Sequence, residues 1–362
     1  MKFRRMPIEI EAPEEMGDLV KYNLTESSYK DQKFKDLALD FSNITFFYGP
    51  HSGGVELRSL ISKSGGLGSE NEVLVTPGAS SALFLIATSL LKKGDHVIVQ
   101  HPNYGSNIET PRLLECEVDL VTCYLENNFQ LSLAEIKKRV KSNTKVISIT
   151  TPHNPTGTHT PWNVVKEIAA FAAENKIYLI VDETYRDLNF VEENAYASTL
   201  NPYVISVSSL SKAYGLPGIR MGWLSTSNKE LMEIFLAAKE QVFITGSVLD
   251  EEVAIQVLRK RKDFLVQVKK DILEHRKITL DWLMTEASLE CVVPTTGVFI
   301  FPRIKVKINI SSFYEKLNKD YGTYVGVGRW FEMPDEYFRL GYCWGTKEDL
   351  TRGLENISSA LH

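Results

Sequence analysis

The sequence predicts an α/β protein with a large domain, whose mostly parallel sheet is flanked by helices, and a smaller α+β domain. Three observations lead to this prediction. The chain has 362 residues, which is enough for two folding units. Between residues 72 and 225, short β-branched apolar runs alternate with amphipathic stretches, a pattern typical of βα units that build a parallel sheet. After residue 228 the chain turns to long, charged helical segments, which indicates a second unit.

The predicted elements follow one another in a regular order. Strands are predicted at residues 72–76, 96–100, 118–125, 145–150, 177–182, 204–210 and 220–225. Helices are predicted at 80–93, 133–140 and 161–175, the last with Thr160 as its cap and Pro161 in its first turn. A helical region at 228–284, a strand-like run at 292–304 and two more helical segments complete the chain.

The division into domains follows from the same pattern. The first 45 residues show no βα rhythm, and we expect them to pack with the C-terminal part of the chain. The large domain is therefore predicted at residues 46–250, and the small domain at 1–45 together with 251–362.

Composition and charge exclude several classes of function. Hydrophobic residues are 43% and charged residues 24%, which excludes a disordered tail or a fibrous repeat. The 41 Lys and Arg against 46 Asp and Glu leave a net charge of −5, so no basic field is available to hold a nucleic acid or an anionic membrane. We expect small-molecule partners.

The cysteines and the N-terminal sequence indicate a cytoplasmic protein. The four cysteines form no CxxC pair and fit free thiols in a reducing compartment; they are Cys116, Cys123, Cys291 and Cys343. The basic start turns acidic without the apolar core of a secretory signal, and no run approaches the roughly 18 apolar residues of a membrane span.

The segment from Ser206 to Gly222, SVSSLSKAYGLPGIRMG, carries the strongest chemical signal. Lys212 lies just beyond a predicted strand, among small hydroxyl residues and glycines, and Arg220 follows eight residues later. This pattern suits an amine that forms a Schiff base beside a phosphate. A plain surface lysine is the alternative.

Three further motifs lie at the same predicted edge of the sheet. Asp182 ends a strand of apolar residues, where a desolvated carboxylate stays ionised only beside a cation such as a protonated pyridine nitrogen; a metal ligand or a structural salt bridge is the alternative. No His or Cys cluster stands at ligand spacing, so no metal is predicted. The segment PHNPTG brings Asn154 to this edge, and TPGASS joins a strand to a helix whose first amides suit a phosphate.

Together and in this order, from about Tyr48 to Gly345, these motifs resemble those of the fold-type I pyridoxal-phosphate enzymes, specifically the class I/II aminotransferases related to aspartate aminotransferase. The resemblance implies an aspartate aminotransferase-like fold, pyridoxal 5'-phosphate as cofactor, and a homodimer with active sites at the interface. It also implies an enzyme that moves an α-amino group from an L-amino acid to a 2-oxo acid by a ping-pong mechanism.

The resemblance also implies roles for individual residues. Lys212 resembles the lysine that holds the cofactor and moves the proton, and Asp182 the partner of the ring nitrogen. Asn154 and Tyr185 resemble the pair that binds the ring oxygen O3′. The remaining cofactor residues are Gly78, Ala79, Ser80, Ser209 and Arg220 around the phosphate, Tyr104 stacked on the ring, and Tyr48 reaching the phosphate of a neighbouring subunit.

The substrate side of the resemblance is less complete. Arg339 resembles the arginine that binds the substrate α-carboxylate, with Asn154 beside it. A cation for an acidic side chain is not evident, and Arg329 is the nearest candidate. The strip at 22–28 matches the segment that lies over the substrate in relatives, where Glu26 would favour a polar or cationic side chain; a solvated carboxylate is the alternative.

Two other functions fit the same scaffold. A pyridoxal-phosphate-dependent lyase, decarboxylase, racemase or amino-acid cyclase would use the same lysine and electron sink. A non-catalytic regulator that binds the cofactor is the third alternative, although the chain offers no spare DNA-binding domain.

Overall fold

The computed structural model describes residues 3–191 and 193–362. The strands in these residues are β1 (Tyr22–Leu24), β2 (Val73–Pro77), β3 (His96–His101), β4 (Glu117–Thr122), β5 (Thr144–Thr150), β6 (Tyr178–Asp182), β7 (Val204–Ser209), β8 (Met221–Ser225), β9 (Leu289–Glu290), β10 (Phe299–Ile300), β11 (Arg303–Ile304), β12 (Thr323–Val327) and β13 (Phe338–Gly341). The α-helices are α1 (Pro7–Ile10), α2 (Pro13–Met16), α3 (Val55–Gly65), α4 (Ala79–Leu90), α5 (Gly105–Leu113), α6 (Leu133–Lys137), α7 (Trp162–Glu174), α8 (Lys229–Glu240), α9 (Val248–Arg259), α10 (Arg261–Thr285), α11 (Ile310–Glu315) and α12 (Lys347–Leu361).

Seven of these strands form the large, mostly parallel sheet that the sequence predicts. Their order is β2-β8-β7-β6-β5-β3-β4, and β8 alone among them runs antiparallel to its neighbours. β4 ends at Thr122 rather than at residue 125, because Leu125 already belongs to a 3₁₀ turn. The parallel strands β5, β6 and β7 therefore present their carboxyl ends at one edge.

The central strands are buried because helices cover both faces of the sheet. In β6, Leu179, Ile180 and Val181 are all buried. Helix α7 packs beside this strand with an apolar stripe at helical spacing. The predicted cap of this helix is wrong, since Pro161 takes the N-cap position with an extended backbone and Thr160 lies outside it. Each fully buried aliphatic side chain contributes about 1.5–3 kcal/mol to this core.

A second sheet joins the two ends of the chain. Its order is β1-β12-β13-β10, and β1 pairs in parallel with β12 from Tyr22 opposite Thr323 to Leu24 opposite Val325. The N-terminal strip therefore lies against the C-terminal third of the chain. The domain boundaries at residues 45 and 250 stay a prediction.

Two predicted segments of the C-terminal part differ from the structure. The helical region at 228–284 is three helices, α8, α9 and α10, separated near Gly246 and at Lys260. The strand-like run at 292–304 forms only the two short strands β10 and β11, because Pro294, Gly297 at φ +78° and Pro302 interrupt the extended backbone. In the part of the chain that the structure describes, no helix has the length and apolar character that a bilayer crossing requires.

Candidate active site

The carboxyl edge of the large sheet opens into a cavity of about 610 Å³ that most of the predicted site residues share. Those that line it are Ala79, Ser80, Tyr104, Asn154, Asp182, Tyr185, Ser209, Lys212, Arg220 and Arg339. Gly78 is the N-cap of α4 and is not among the lining residues, although its neighbours Ala79 and Arg220 are. The N-terminal strip supplies a further wall through Asn23, Thr25, Glu26 and Ser27.

Lys212 shares a hydrogen-bond acceptor with Tyr185. The Nζ of Lys212 donates to the Oγ of Ser27 over 3.2 Å, and the hydroxyl of Tyr185 donates to the same oxygen over 3.0 Å. The backbone of the N-terminal strip also binds the lysine loop directly, since Tyr29 N donates to the carbonyl of Lys212 over 2.9 Å. Ser27 belongs to the strip at 22–28 that the sequence matches to a segment over the substrate, but the sequence does not predict its bonds to Lys212 and Tyr185.

Asp182 is a buried carboxylate with several neutral hydrogen-bond donors around it. It is 6% exposed, and its Oδ1 accepts from the hydroxyl of Thr184 over 2.6 Å and from the amide of Thr184 over 3.1 Å. Burial raises the pKa of Asp182, while the bonds from Thr184 and Asn107 and the charge of Lys212 act in the opposite direction. A cation placed against this carboxylate would stabilise its ionised form.

The turn from β2 into α4 brings free helix amides close to a guanidinium. Gly78 has φ +82°, and a Cβ built on it would lie 2.6 Å from Nη2 of Arg220. β8 passes so close that a Cβ on Gly222 would lie 2.5 Å from the amide nitrogen of Ala79. The hydroxyl of Ser209 lines the same corner of the cavity. Amides at a helix start, a hydroxyl and a guanidinium are the donors that bind phosphate.

Arg339 is buried with no carboxylate paired to it among the described residues. It is 4% exposed; Nη1 donates to Oδ1 of Asn154 over 2.9 Å, and Nη2 donates to the carbonyl of Thr25 over 2.7 Å. Its Nε has no hydrogen-bond partner in the described chain. Burial lowers the pKa of Arg339 because its charge is desolvated. A guanidinium held this way is suited to an anionic ligand.

Tyr104 contacts the N-terminal helix. Its hydroxyl donates to Oε1 of Glu9 in α1 over 3.0 Å, and desolvation raises its pKa to about 12. Glu9 is a site residue without a signal in the sequence, because the first 45 residues carry no motif around it that indicates a site.

Two predicted residues lie elsewhere. Arg329 is not among the residues that line the cavity, because Nε and Nη2 bind the carboxylate of Glu11 over 3.1 and 2.9 Å while Nη1 binds Asp335 over 2.6 Å. Tyr48 is 82% exposed and lies in a separate surface hollow with Phe46 and Phe47. One chain therefore does not bring Tyr48 to the cavity.

The residues present fit pyridoxal 5'-phosphate. Lys212 offers a primary amine, the turn at Gly78 offers phosphate donors around a space that a Cβ would fill, and Asp182 is a buried carboxylate in need of a cation. The model of the family described as aminotransferase class I and II matches residues 21–357.

The chain belongs to this family.

Several known proteins resemble this aminotransferase. A probable aspartate/prephenate aminotransferase of Aquifex aeolicus is 28% identical over 338 residues, covering 87% of this chain and 83% of that protein. Capreomycidine synthase of Streptomyces vinaceus is 28% identical over 326 residues, covering 89% of this chain and 82% of its own. A pyridoxal-phosphate-dependent aminotransferase of Streptococcus suis superposes with a TM-score of 0.91 at 28% identity, covering 100% of this chain and 98% of the other.

Membership confirms the main predictions from the sequence. The fold is that of aspartate aminotransferase, and the protein is a pyridoxal-phosphate-dependent enzyme that transfers amino groups. Aspartate aminotransferase of Thermus thermophilus, with a TM-score of 0.85 at 23% identity, supports the fold alone.

Proposed function

We propose that this aminotransferase moves the α-amino group of an L-amino acid to a 2-oxo acid, with Lys212 as its catalytic amine and Arg339 as its carboxylate clamp. The observation that carries the proposal is that both groups face one cavity. Lys212 offers a nucleophilic nitrogen, and Arg339 is a buried guanidinium with an unpartnered Nε. An amino acid presents the two complementary groups, an amine and a carboxylate, on one carbon.

Asp182 and the phosphate turn would hold the cofactor. When bound, pyridoxal phosphate supplies an electron sink for the bond that breaks at the substrate Cα. Asp182 would keep the ring nitrogen protonated through an ion pair, which its burial would strengthen. Ser209, Arg220 and the first amides of α4 would receive the phosphate, and Gly78 would form the turn that leaves room for it, since its own amide donates to the carbonyl of Thr76.

Lys212 would carry the proton. Its Nζ, once free, would be the base that takes the proton from the substrate Cα. Ser27 holds this nitrogen from one side, and Tyr185 donates to the same hydroxyl. Because this contact restrains the side chain of Lys212, its nitrogen stays within a small region and can take up and release a proton with little movement.

Arg339 would orient the substrate. Asn154 and the carbonyl of Thr25 hold its two terminal nitrogens in place, so the guanidinium plane is fixed before a ligand arrives. A bidentate contact to the α-carboxylate then fixes the Cα–H bond relative to the lysine.

A homodimer is part of the proposal. The hollow that holds Tyr48 exposes further large apolar side chains: Phe46 at 75%, Phe47 at 61% and Leu249 at 42%. An exposed apolar patch of this kind is typical of an interface. Tyr48 would then reach the cofactor phosphate of the partner. The cytoplasmic location stays a prediction.

The shared site can be tested by mixing two variants. In the proposed dimer each site takes Lys212 from one subunit and Tyr48 from the other, so Tyr48→Ala and Lys212→Ala impair different subunits' contributions. In a mixed dimer one site keeps both residues, so random reassociation should restore about a quarter of the wild-type rate. Mixtures no more active than Tyr48→Ala alone would contradict the placement of Tyr48.

The amino transfer itself is tested by half-reactions. Purified holoenzyme is mixed with single amino acids in the absence of an oxo acid, and the visible absorption of the bound cofactor is followed. A stoichiometric loss of that absorption with one equivalent of 2-oxo acid supports the proposal, and Lys212→Ala should show neither change. Recovery of the absorption while product continues to accumulate would contradict it.

A pyridoxal-phosphate-dependent enzyme other than an aminotransferase is the second candidate, favoured by one observation. Capreomycidine synthase of Streptomyces vinaceus matches 89% of this chain at the same 28% identity as the aminotransferase relative. An enzyme of this kind would regain the cofactor absorption after each turnover while its product continues to accumulate. The same half-reactions therefore separate the two candidates.

A further inference from the structure

We propose that the amino acid bound here carries a cationic side chain, an alkyl guanidinium or alkyl ammonium group, which Glu26 recognises. The inference rests on the proposed function, because it takes Arg339 as the clamp for the α-carboxylate. It concerns the part of the cavity that the cofactor and the clamp leave for the side chain.

The cavity is lined by more carboxylates than cations. The three cations are Lys212, Arg220 and Arg339, and each is used by the linkage, the phosphate or the α-carboxylate. Asp182 is used by the ring nitrogen. Four carboxylates then remain in the lining that form no ion pair with the described residues: Glu9, Glu14, Glu26 and Asp31. The substrate side chain would enter a region of net negative charge.

Glu26 directly follows Thr25, the residue whose carbonyl binds Arg339. The carbonyl of Thr25 accepts from Arg339, and a Cβ on Gly341 would lie 1.8 Å from the carbonyl oxygen of Glu26. The strip is therefore seated tightly against β13 beside Arg339. The charge of Glu26 acts to raise the pKa of Arg339, so the two groups are electrostatically coupled.

The carboxylate of Glu26 is also free to receive a ligand. It forms no ion pair and no side-chain hydrogen bond with the described residues, and it is half-buried. By contrast, Glu9 accepts from Tyr104 over 3.0 Å, and Asp31 accepts from the indole nitrogen of Trp344 over 3.0 Å. Glu14 is exposed, so solvent and salt screen its charge and it would attract a cationic ligand less strongly than Glu26.

Aromatic surfaces complete the recognition of such a side chain. Trp330 and Trp344 both line the cavity beside these carboxylates. Indole faces pack against alkyl stems and attract guanidinium and ammonium groups through their π electrons. A side-chain carboxylate would meet four like charges instead. Arg329, the candidate cation of the sequence, does not offset them, because it is bound to Glu11 and Asp335.

The first test compares substrates of equal shape and different charge. With the holoenzyme, kcat/KM for L-arginine should exceed that for L-citrulline by about tenfold or more, and L-aspartate and L-glutamate should be the poorest donors. Glu26→Gln should bring the arginine-to-citrulline ratio close to one. Glu15→Gln is the matched control, since Glu15 is an exposed carboxylate outside the cavity that pairs with Arg5, and it should keep the ratio.

The second test measures binding without turnover. Arginine lacking its α-amine, hexanoate and adipate are titrated into the holoenzyme by calorimetry; all three offer a carboxylate to Arg339 and differ at the far end. The guanidino acid should bind tightest and adipate weakest, and Glu26→Gln should remove the preference.

The outcomes separate the two hypotheses. If the guanidino acid binds tightest but no amino acid yields an oxo acid, the proposed function fails and the inference stands. If amino transfer occurs and neutral or acidic side chains are preferred in both tests, the inference is overturned and the proposed function stands. A ratio unchanged by Glu26→Gln overturns the role of Glu26.

Discussion

Gly78 offers a quantitative test of the phosphate site, because its surroundings predict two separable effects of a methyl group. Its φ of +82° and ψ of 167° lie in a region that only glycine adopts readily, so Gly78→Ala should lower the free energy of unfolding by about 1–3 kcal/mol. The new Cβ would also lie 2.6 Å from Nη2 of Arg220. The end of a flexible side chain moves more easily than the backbone, so Arg220 should swing away from the start of α4.

Loss of the guanidinium from this corner should weaken the binding of the phosphate. A hydrogen bond to a charged group contributes about 1.5–3 kcal/mol, and the exposure of Arg220 places the loss at the lower end, which is about tenfold in affinity. The apoprotein is titrated with pyridoxal phosphate, and binding is followed by visible absorption. Pyridoxal without its phosphate should bind the variant and the wild type equally.

Gly94→Ala provides the matched control. Gly94 has φ +83° in an exposed turn, and a Cβ there would meet no atom within 4 Å. It should carry a comparable backbone penalty in urea denaturation and leave cofactor affinity unchanged. Equal affinities for pyridoxal phosphate in both variants and the wild type would refute the placement of Arg220 at the phosphate.

Three other predictions concern charge in and near the cavity. Asp182→Asn should retain bound cofactor and lose most of the half-reaction rate, since a neutral amide cannot hold the ring nitrogen protonated; stopped-flow rates like those of the wild type would contradict this role. Arg339→Lys should raise KM for amino acids about tenfold or more, because a point charge cannot make the bidentate contact, and unchanged KM values would place the clamp elsewhere. Burial raises the pKa of Glu183 from 4.5 to about 7, so between these pH values the native state holds a proton that the unfolded chain has lost. The free energy of unfolding of the wild type should therefore fall by about 3 kcal/mol across this window relative to Glu183→Gln, and parallel curves from urea denaturation would exclude the effect.

The grouping of Lys212, Asp182 and the turn at Gly78 at one edge of the sheet was predictable because each lies in a short, recognisable segment. The motif around Lys212, the strand that ends at Asp182 and the turn at Gly78 each combine a reactive or permissive residue with a neighbouring element that fixes its position. In a parallel sheet the carboxyl ends of neighbouring strands lie at the same edge, so these segments are expected to meet there. The fold follows from the same βα alternation, and the errors lie at element ends and in the run at 292–304, where prolines and a glycine override apolar composition.

The substrate half was less predictable because it depends on contacts between distant parts of the chain. Arg329 looked available in the sequence, yet Glu11 binds it from 318 residues away. Glu9 reaches Tyr104 across 95 residues. These pairs consist of residue types that are common on protein surfaces, so the sequence alone does not indicate that the two residues are in contact.

The N-terminal strip at residues 22–28 supports the site through one carbonyl and one hydroxyl, while the carboxylate of Glu26 has no partner among the described residues. Its carbonyl at Thr25 holds Arg339, its hydroxyl at Ser27 holds Lys212, and its strand β1 is fixed by pairing with β12. A carbonyl is present in every residue, so the strip can hold the clamp whatever side chain stands at position 25. The neighbouring side chain at Glu26 is then free to vary without disturbing the cofactor residues. In an enzyme built this way, one cofactor site can serve substrates of different charge, and the strip is where this chain would encode its preference.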